Sequence, residues 1–237
     1  DLRQPTHALG MFVARLGQLP LDAQTRQLVA SLEASVQSMQ DLLDGLLDVS
    51  RLDAGAVQVQ LGPVNMGELF HSLRKALQPL AESKGLRLRI RPSPYWAMTD
   101  PVLLQRMVMN LANNAIRYTE RGTVMISCRR VDGGRKVRLD VADSGIGISP
   151  THQEDIFREF YQVGNSGRDR AQGLGLGLNI VERTAQLLGH AITLRSALGC
   201  GTRFSIHLPA AQAVEAFTTL APADPQGLGG VEGMRVL

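Results

Sequence analysis

Cysteine, aromatic residues and long apolar runs are all scarce in this chain of 237 residues. The two cysteines, Cys128 and Cys200, offer neither a metal-ligand spacing nor a disulfide framework, so reduced thiols and a cytoplasmic setting are expected. The longest stretch without Asp, Glu, Lys or Arg is residues 54–67, and it holds Gln, Gly, Pro and Asn. A membrane span needs roughly 18 apolar residues, so no membrane contact is expected from this segment. The opening Asp-Leu-Arg does not read as a signal peptide. A strong charge is missing too. The 25 basic and 22 acidic residues leave a net +3, and the basic residues are scattered, which gives no case for nucleic acid as a partner. What remains is an ordinary globular composition, 44% hydrophobic and 20% charged, in a length that allows one to two domains.

Residues 1–53 read as two helices. Leu2, Leu9 and Leu16 recur every seven residues, with Phe12 and Val13 between them, and Pro20 breaks the pattern. Leu28, Leu32, Val36, Met39, Leu43 and Leu46 then form one apolar stripe on a second helix that ends near Gly55. Two helices bury too little alone. The stripe meets either a second copy of the chain, as a dimeric four-helix bundle, or the rest of its own chain. After Gly55 the period changes. Val57, Val59 and Leu61 suggest a short strand that Gly62-Pro63 breaks, and residues 67–84 suggest a helix. Leu86, Leu88 and Ile90 alternate with Arg87, Arg89 and Arg91, as in a half-exposed strand. A helix over Pro101–Tyr118, strands around Val124–Cys128 and Val137–Val141, a helix over 179–188 and strands over 192–195 and 202–208 complete the pattern. These imply an α+β chain: a helical hairpin, then a two-layer α/β sandwich with a mostly antiparallel sheet. Residues 211–231 lose periodicity and read as a linker, and 232–237 begin a new apolar run.

Three clusters could carry chemistry. Asn110, Asn114 and Arg117 share a helix face apart from the apolar Leu104, Val108, Leu111 and Ala115. Asparagine disfavours helix interiors, so this is either a solvated polar face or a place for amide oxygens on Mg²⁺, with Arg117 beside phosphate. Asp143-Ser-Gly145-Ile-Gly147 ends a strand. It is either a capped turn or a carboxylate that accepts from an exocyclic amine such as that of adenine, with glycines letting a planar ligand approach. Gly173-Leu174-Gly175-Leu-Gly177 runs into a helix and fits either a flexible loop or an anion site made of backbone N–H groups. It is neither a Walker A loop nor a good Rossmann fingerprint. Phe157, Phe160 and Tyr161 lie between the glycine clusters, as a mobile lid would need.

The order of these segments is specific. Asn110-Leu-Ala-Asn-Asn114-Ala-Ile-Arg117-Tyr118-Thr119, Asp143 to Gly147, Phe157-Arg-Glu-Phe160, Gly173 to Gly177 and Gly199-Cys-Gly-Thr202 resemble the asparagine, first glycine, phenylalanine, second glycine and third glycine boxes of sensor histidine kinases. Those kinases belong to the wider Bergerat-fold ATPases. Asp1-Leu-Arg-Gln-Pro5 is similar to the segment just after the phospho-accepting histidine of their dimerisation hairpin, and residues 47–55 to its end. Residues 233–237 resemble the first strand of a receiver domain.

The resemblance implies a hairpin over 1–55, a hinge over 56–63, an ATP-binding domain of the Bergerat type over 64–210, a linker over 211–231 and the start of a receiver at 232–237. It implies ATP and Mg²⁺ as cofactors, with a homodimer and a receiver domain as partners. Asp143 would accept from adenine, Gly145 and Gly147 would let the backbone approach the base, Tyr118 would pack near it and Thr202 would lie beside the carboxylate. Asn114 would ligate Mg²⁺ and Arg117 hold phosphate. Gly173, Leu174, Gly175 and Gly177 would bring lid backbone to the phosphates. Asn110 stands where related ATPases carry a general base, and an amide fits transfer to histidine better than hydrolysis. The accepting histidine is expected immediately before Asp1, whose carboxylate would hold the proton on its other nitrogen. His7 lies past that position, and Gln4 stands where many relatives carry Thr or Asn to place a dephosphorylating water. A Bergerat ATPase of another class and a degenerate kinase serving as a dimeric scaffold are the alternatives.

Overall fold

The computed structural model describes residues 3–163 and 175–212. The expectations for Asp1, Leu2, Gly173, Leu174, most of the linker and the receiver start therefore fall outside the described residues.

Helix α1 spans Arg3–Gly17 and α2 spans Ala23–Asp53. Asp22 caps α2 by accepting from the Thr25 backbone N–H at 2.9 Å. The helices meet through Val13, Val29 and Val36, with Leu21 against them. The stripe expected on α2 divides here. Val36 is buried against α1, whereas Leu28, Leu32, Met39 and Leu46 stay exposed, as do Leu9, Phe12 and Leu16 on α1. A single copy thus leaves a long apolar face open.

The sandwich follows. Its elements are β1 (Gly62–Asn65), α3 (Met66–Ser83), β2 (Arg87–Ile90), β3 (Trp96–Thr99), α4 (Pro101–Tyr118), β4 (Thr123–Val131), β5 (Lys136–Asp143), α5 (Gly177–Leu188), β6 (Ala191–Ser196) and β7 (Thr202–Ala211). The strands run in the order β1-β3-β7-β5-β4-β2, with β6 also paired to β7. All pairs are antiparallel except β2 with β4. Val124, Ile126, Val137, Leu139, Ile206 and Leu208 on one sheet face pack against Leu73, Leu77, Leu104, Met107, Leu111 and Val181 of the helices.

Two readings of the sequence are corrected. The strand expected at 57–61 lies at Gly62–Asn65 and includes the Gly-Pro pair expected to break it. Strand β1 is an edge strand, where a proline's missing N–H costs no ladder bond. Val57 and Val59 still pack on the core, and the Gln60 N–H donates to Asp100 Oδ2 at 2.8 Å. Strand β3 is additional, a four-residue strand just after Pro92 and Pro94. The same Asp100 caps α4, its Oδ1 accepting from Val102 and Leu103, so one carboxylate ties the connecting segment to the helix that bears the asparagines.

Candidate functional site

Helix α4 organises the site. Its apolar face, with Leu104, Val108, Leu111 and Ala115, is buried. Its other side carries Asn110 and Asn114, both half-buried, and ends at the exposed Arg117 and Tyr118. The Lys84 ammonium donates to the carbonyls of Ile116 and Arg117 at 3.0 and 2.8 Å and so caps the helix C-terminus. Sequence reading missed this role, because Lys84 is far from α4 along the chain.

Asp143 stands at the end of β5, opposite Val124 of β4. Its Oδ1 accepts from the N–H groups of Gly145 at 2.8 Å and Thr202 at 3.2 Å. Among the described residues, nothing donates to Oδ2. Burial pushes the carboxyl above its ordinary range, and the two backbone donors only partly offset this. A half-buried acid with one oxygen fixed and the other available is a specific acceptor for a ligand N–H.

The loops around it are held by backbone proximity. A Cβ on Gly145 would lie 2.3 Å from the Tyr118 carbonyl oxygen, so only glycine lets this loop reach the end of α4. Gly201, at φ +78°, comes as close: its Cβ would lie 2.0 Å from the Asp143 carbonyl oxygen. Ile146 N–H donates to the Tyr118 carbonyl, and Gly199 N–H to the Ile146 carbonyl at 2.8 Å. Gly147 abuts the Ala197 backbone, and Thr202 Oγ1 pairs with Ser196 Oγ at 2.9 Å. The Asp143, Ala197–Thr202 and Tyr118 segments therefore form one cluster. Thr119 was not singled out from the sequence. It is fully buried beside Gly145, and its Oγ1 has no hydrogen-bond partner among the described residues.

The second flank of α4 meets the start of α5. A Cβ on Gly177 would sit 3.9 Å from Asn110 Oδ1 and 3.9 Å from Asn114 Nδ2, so two amide side chains face the first turn of a helix. N–H groups exposed there favour an anion. Gly175, at φ +68°, packs on the backbone of Phe160 and Tyr161. Tyr161 in turn bonds His152 Nδ1 at 2.7 Å, and Asn179 Nδ2 donates to the Phe157 carbonyl at 2.9 Å. Asn114 and Tyr118 lie one turn apart, so α4 joins an acidic acceptor at its end to an anion-favouring helix start. Among the described residues no group of three His, Cys, Asp or Glu could hold a metal ion. The amide oxygens of Asn110 and Asn114 suit a cation whose remaining ligands are water and phosphate oxygens. No described helix is long and apolar enough to cross a membrane.

Comparison with known proteins places the chain in a family. Residues 1–55 match the His Kinase A (phospho-acceptor) domain, and residues 99–212 match the histidine kinase-, DNA gyrase B- and HSP90-like ATPase domain. Similar proteins include the autoinducer 2 sensor kinase/phosphatase LuxQ of Vibrio cholerae, 31% identical over 96% of this chain, and the aerobic respiration control sensor ArcB of Escherichia coli, 30% identical over 88%. The chain spans 28% of the length of each. Among solved structures, full-length ShkA in complex with AMPPNP is 31% identical with a TM-score of 0.72, covering 90% of this chain and 45% of that one. The histidine kinase AdeS of Acinetobacter baumannii, 20% identical with a TM-score of 0.61, shares the fold. The chain belongs to the sensor histidine kinases, with the phospho-acceptor hairpin and the ATPase domain of that family in one segment.

Proposed function

We propose that this chain is the ATP-dependent catalytic core of a two-component protein-histidine kinase. It moves the ATP γ-phosphate to a histidine immediately before Asp1, and from there to an aspartate of a receiver domain. One observation carries the reading. The start of α5, which faces Asn110 and Asn114, also touches α2 at Gly45, where a Cβ would lie 3.0 Å from Leu176 Cδ1. The hairpin is antiparallel, and Gln40 Nε2 donates to the Thr6 carbonyl at 3.1 Å. Gly45 therefore lies across from the first residues of α1. The anion-favouring helix start is thus adjacent to the level at which the accepting imidazole is expected.

In this reading Asp143 accepts from the adenine amine through Oδ2, and Thr202 N–H and Gly145 N–H keep the carboxylate aimed. Tyr118 packs near the base, which the backbone at Gly145 and Gly147 approaches. Asn114 holds Mg²⁺ through its amide oxygen, with Asn110 beside it; the ion would neutralise phosphate charge. Arg117 adds a cation, and Gly175 and Gly177 let the backbone approach the phosphates; Gly173 and Leu174, expected to do the same, lie outside the described residues. Neither Asn110 nor Asn114 can take a proton, so neither serves as a base toward water; the nucleophile is a neutral imidazole, oriented by Asp1. Transfer then depends on in-line placement and charge neutralisation. The open apolar face of Leu9, Phe12, Leu28, Leu32 and Met39 favours a homodimer joined through the hairpins. Residues 56–63 act as the hinge between hairpin and sandwich, and this segment works in the cytoplasm, whether or not the parent protein carries a membrane anchor.

Calorimetry with Mg-ATP and incubation with γ-labelled ATP test this. The chain should bind Mg-ATP, and a version extended upstream through its natural sequence should become labelled on the histidine before Asp1. Label on His7, or turnover of ATP to free phosphate without labelled protein, would refute it.

A further inference from the structure

The outer face of the sheet carries a charge pattern that the ATP site does not use. The helices pack on the face bearing Val137, Leu139 and Val141, so the alternate residues of each strand point the other way. Strand register sorts these into rows. Arg129 of β4 lies opposite Arg138 of β5, which lies opposite His207 of β7. Four residues further along the strands, Arg89, Met125, Ala142, Arg203 and Arg195 form another row, with Arg203 directly opposite Arg195. Between them run Ser127, Asp140, Ser205 and Thr193.

Two of these cross-strand neighbours, Arg129 with Arg138 and Arg203 with Arg195, are like charges placed face to face, an arrangement that destabilises a sheet. Arg138 is compensated: it donates to Asp140 Oδ2 at 2.8 Å, while Ser205 donates to Asp140 Oδ1 at 2.6 Å. Arg89, Arg129, Arg195 and Arg203 are exposed, with no carboxylate partner among the described residues. These four guanidinium charges exceed the +3 of the whole chain, so the positive field is concentrated here. The local potential also registers on His207, held below its ordinary value first by burial and then by Arg138 and Lys136.

We propose that this sheet face docks an acidic polypeptide surface, with one acidic cluster meeting Arg129 and a second, about 13 Å away along the strands, meeting Arg89, Arg195 and Arg203. Charge complementarity selects the anion, and the middle row selects its class. Ser127 and Thr193 offer hydroxyls to a peptide backbone between the two acidic clusters, and Asp140, buried and paired with Arg138, leaves the middle row without the unpaired cation that a continuous phosphate backbone would need. No Phe, Tyr or Trp stands in the rows for base stacking. Met125 and Ala142, their bulkier apolar members, are half-buried and buried, so nothing projects into a lipid layer. The face lies opposite the helices that bear the asparagines, so docking leaves the nucleotide site accessible.

The test is an anisotropy titration of the whole chain with fluorescein-labelled oligoglutamate at low ionic strength, under saturating Mg-ATP. Arg129→Gln with Arg203→Gln should weaken binding about tenfold, whereas Lys75→Gln with Arg15→Gln, an equal change of charge elsewhere, should weaken it less than about twofold. The melting temperature of the first pair should hold or rise as like-charge repulsion is relieved. Should that pair fail to fold, Arg89→Gln with Arg195→Gln serves as the second variant. Absent binding, equal loss in both pairs, or tighter binding to phosphatidylserine vesicles or a single-stranded oligonucleotide than to oligoglutamate would overturn the proposal.

Discussion

Replacing Asp143 by Asn separates the ligand-binding role of that side chain from its structural one. The amide oxygen of Asn can still accept from Gly145 N–H and Thr202 N–H, the two bonds that hold the loop. What changes is the second oxygen, which becomes an NH₂ donor facing the amine of the proposed adenine ligand. A charge-assisted hydrogen bond worth about 1.5–3 kcal/mol is lost, and two opposed donors go unpaired at about 1–3 kcal/mol. An affinity loss of about two orders of magnitude or more follows. Stability moves the other way. The native carboxyl titrates above its ordinary 3.8, because burial disfavours the charged form. Native protein therefore holds its proton more tightly than unfolded chain does. Stability from this group is fully present below 3.8 and is lost as pH rises through the native pKa. At neutral pH the wild type carries that cost and Asp143→Asn removes it, so the variant should melt at the same temperature or higher. The advantage should vanish in acid. Calorimetry with Mg-ATP and thermal melts across pH check both halves. Wild-type ATP affinity in the variant would refute the adenine assignment, and a collapsed melting temperature at neutral pH would refute the account of the loop.

Gly145→Ala should cost about 1–3 kcal/mol, because the added methyl meets the Tyr118 carbonyl, and should lower both the melting temperature and ATP affinity. Gly45→Leu should leave ATP affinity within about twofold but slow phosphotransfer in the upstream-extended chain by about tenfold, since the larger side chain pushes Leu176 off α2. His190 is buried, bonded to Thr99 Oγ1 at 2.8 Å through Nε2, and desolvation holds its pKa below 6.5. Unfolded chain takes up a proton below pH 6.5 that native His190 refuses, so stability from this group falls as pH drops from 6.5 toward the lower native value. Melts between pH 7 and 5.5 should show a steeper decline for wild type than for His190→Gln.

Much of this was legible where local chemistry decides structure. Helix α4 is read to the residue because Asp100 and Pro101 start it with a cap and a preset φ, and its apolar residues keep helical spacing. Strands β1 and β3 escaped because edge strands tolerate proline, and two prolines just before β3 look like a loop. The proposed site residues stood out one cluster at a time. That they share one ligand came from the family resemblance, since nothing in sequence spacing says that Gly177 would meet Asn110 and Asn114, or that Gly145 would fit beneath Tyr118. The basic sheet face was hidden for the same reason: Arg89, Arg129, Arg195 and Arg203 are far apart in sequence and share a face only once strand register is known.

The contact between hairpin and sandwich follows from its composition. Its apolar part is small, Val49 and Leu52 of α2 against Leu176 and Ile180. The rest is ionic: Asp48, almost fully buried, pairs with Arg106 of α4, and Arg183 of α5 bridges Asp53 and Glu159. Asp48 leaves water to make its pair, while Arg183, Asp53 and Glu159 stay partly exposed; desolvation in the first case and solvent screening in the second leave little net stability, yet both demand a defined geometry. An interface of this kind fixes one orientation without holding it tightly. With 56–63 as the proposed hinge, separation there would return Asp48 to water and free the already part-exposed Arg106, which would compensate much of the lost pairing. Arg183 spans both parts of the molecule, so its release from Asp53 leaves Glu159 as its remaining partner beside the phenylalanine segment. The docking that brings the start of α5 to Gly45 is therefore specific in register and cheap to reverse, as a lobe needs if it must approach one partner for phosphate transfer and make room for another.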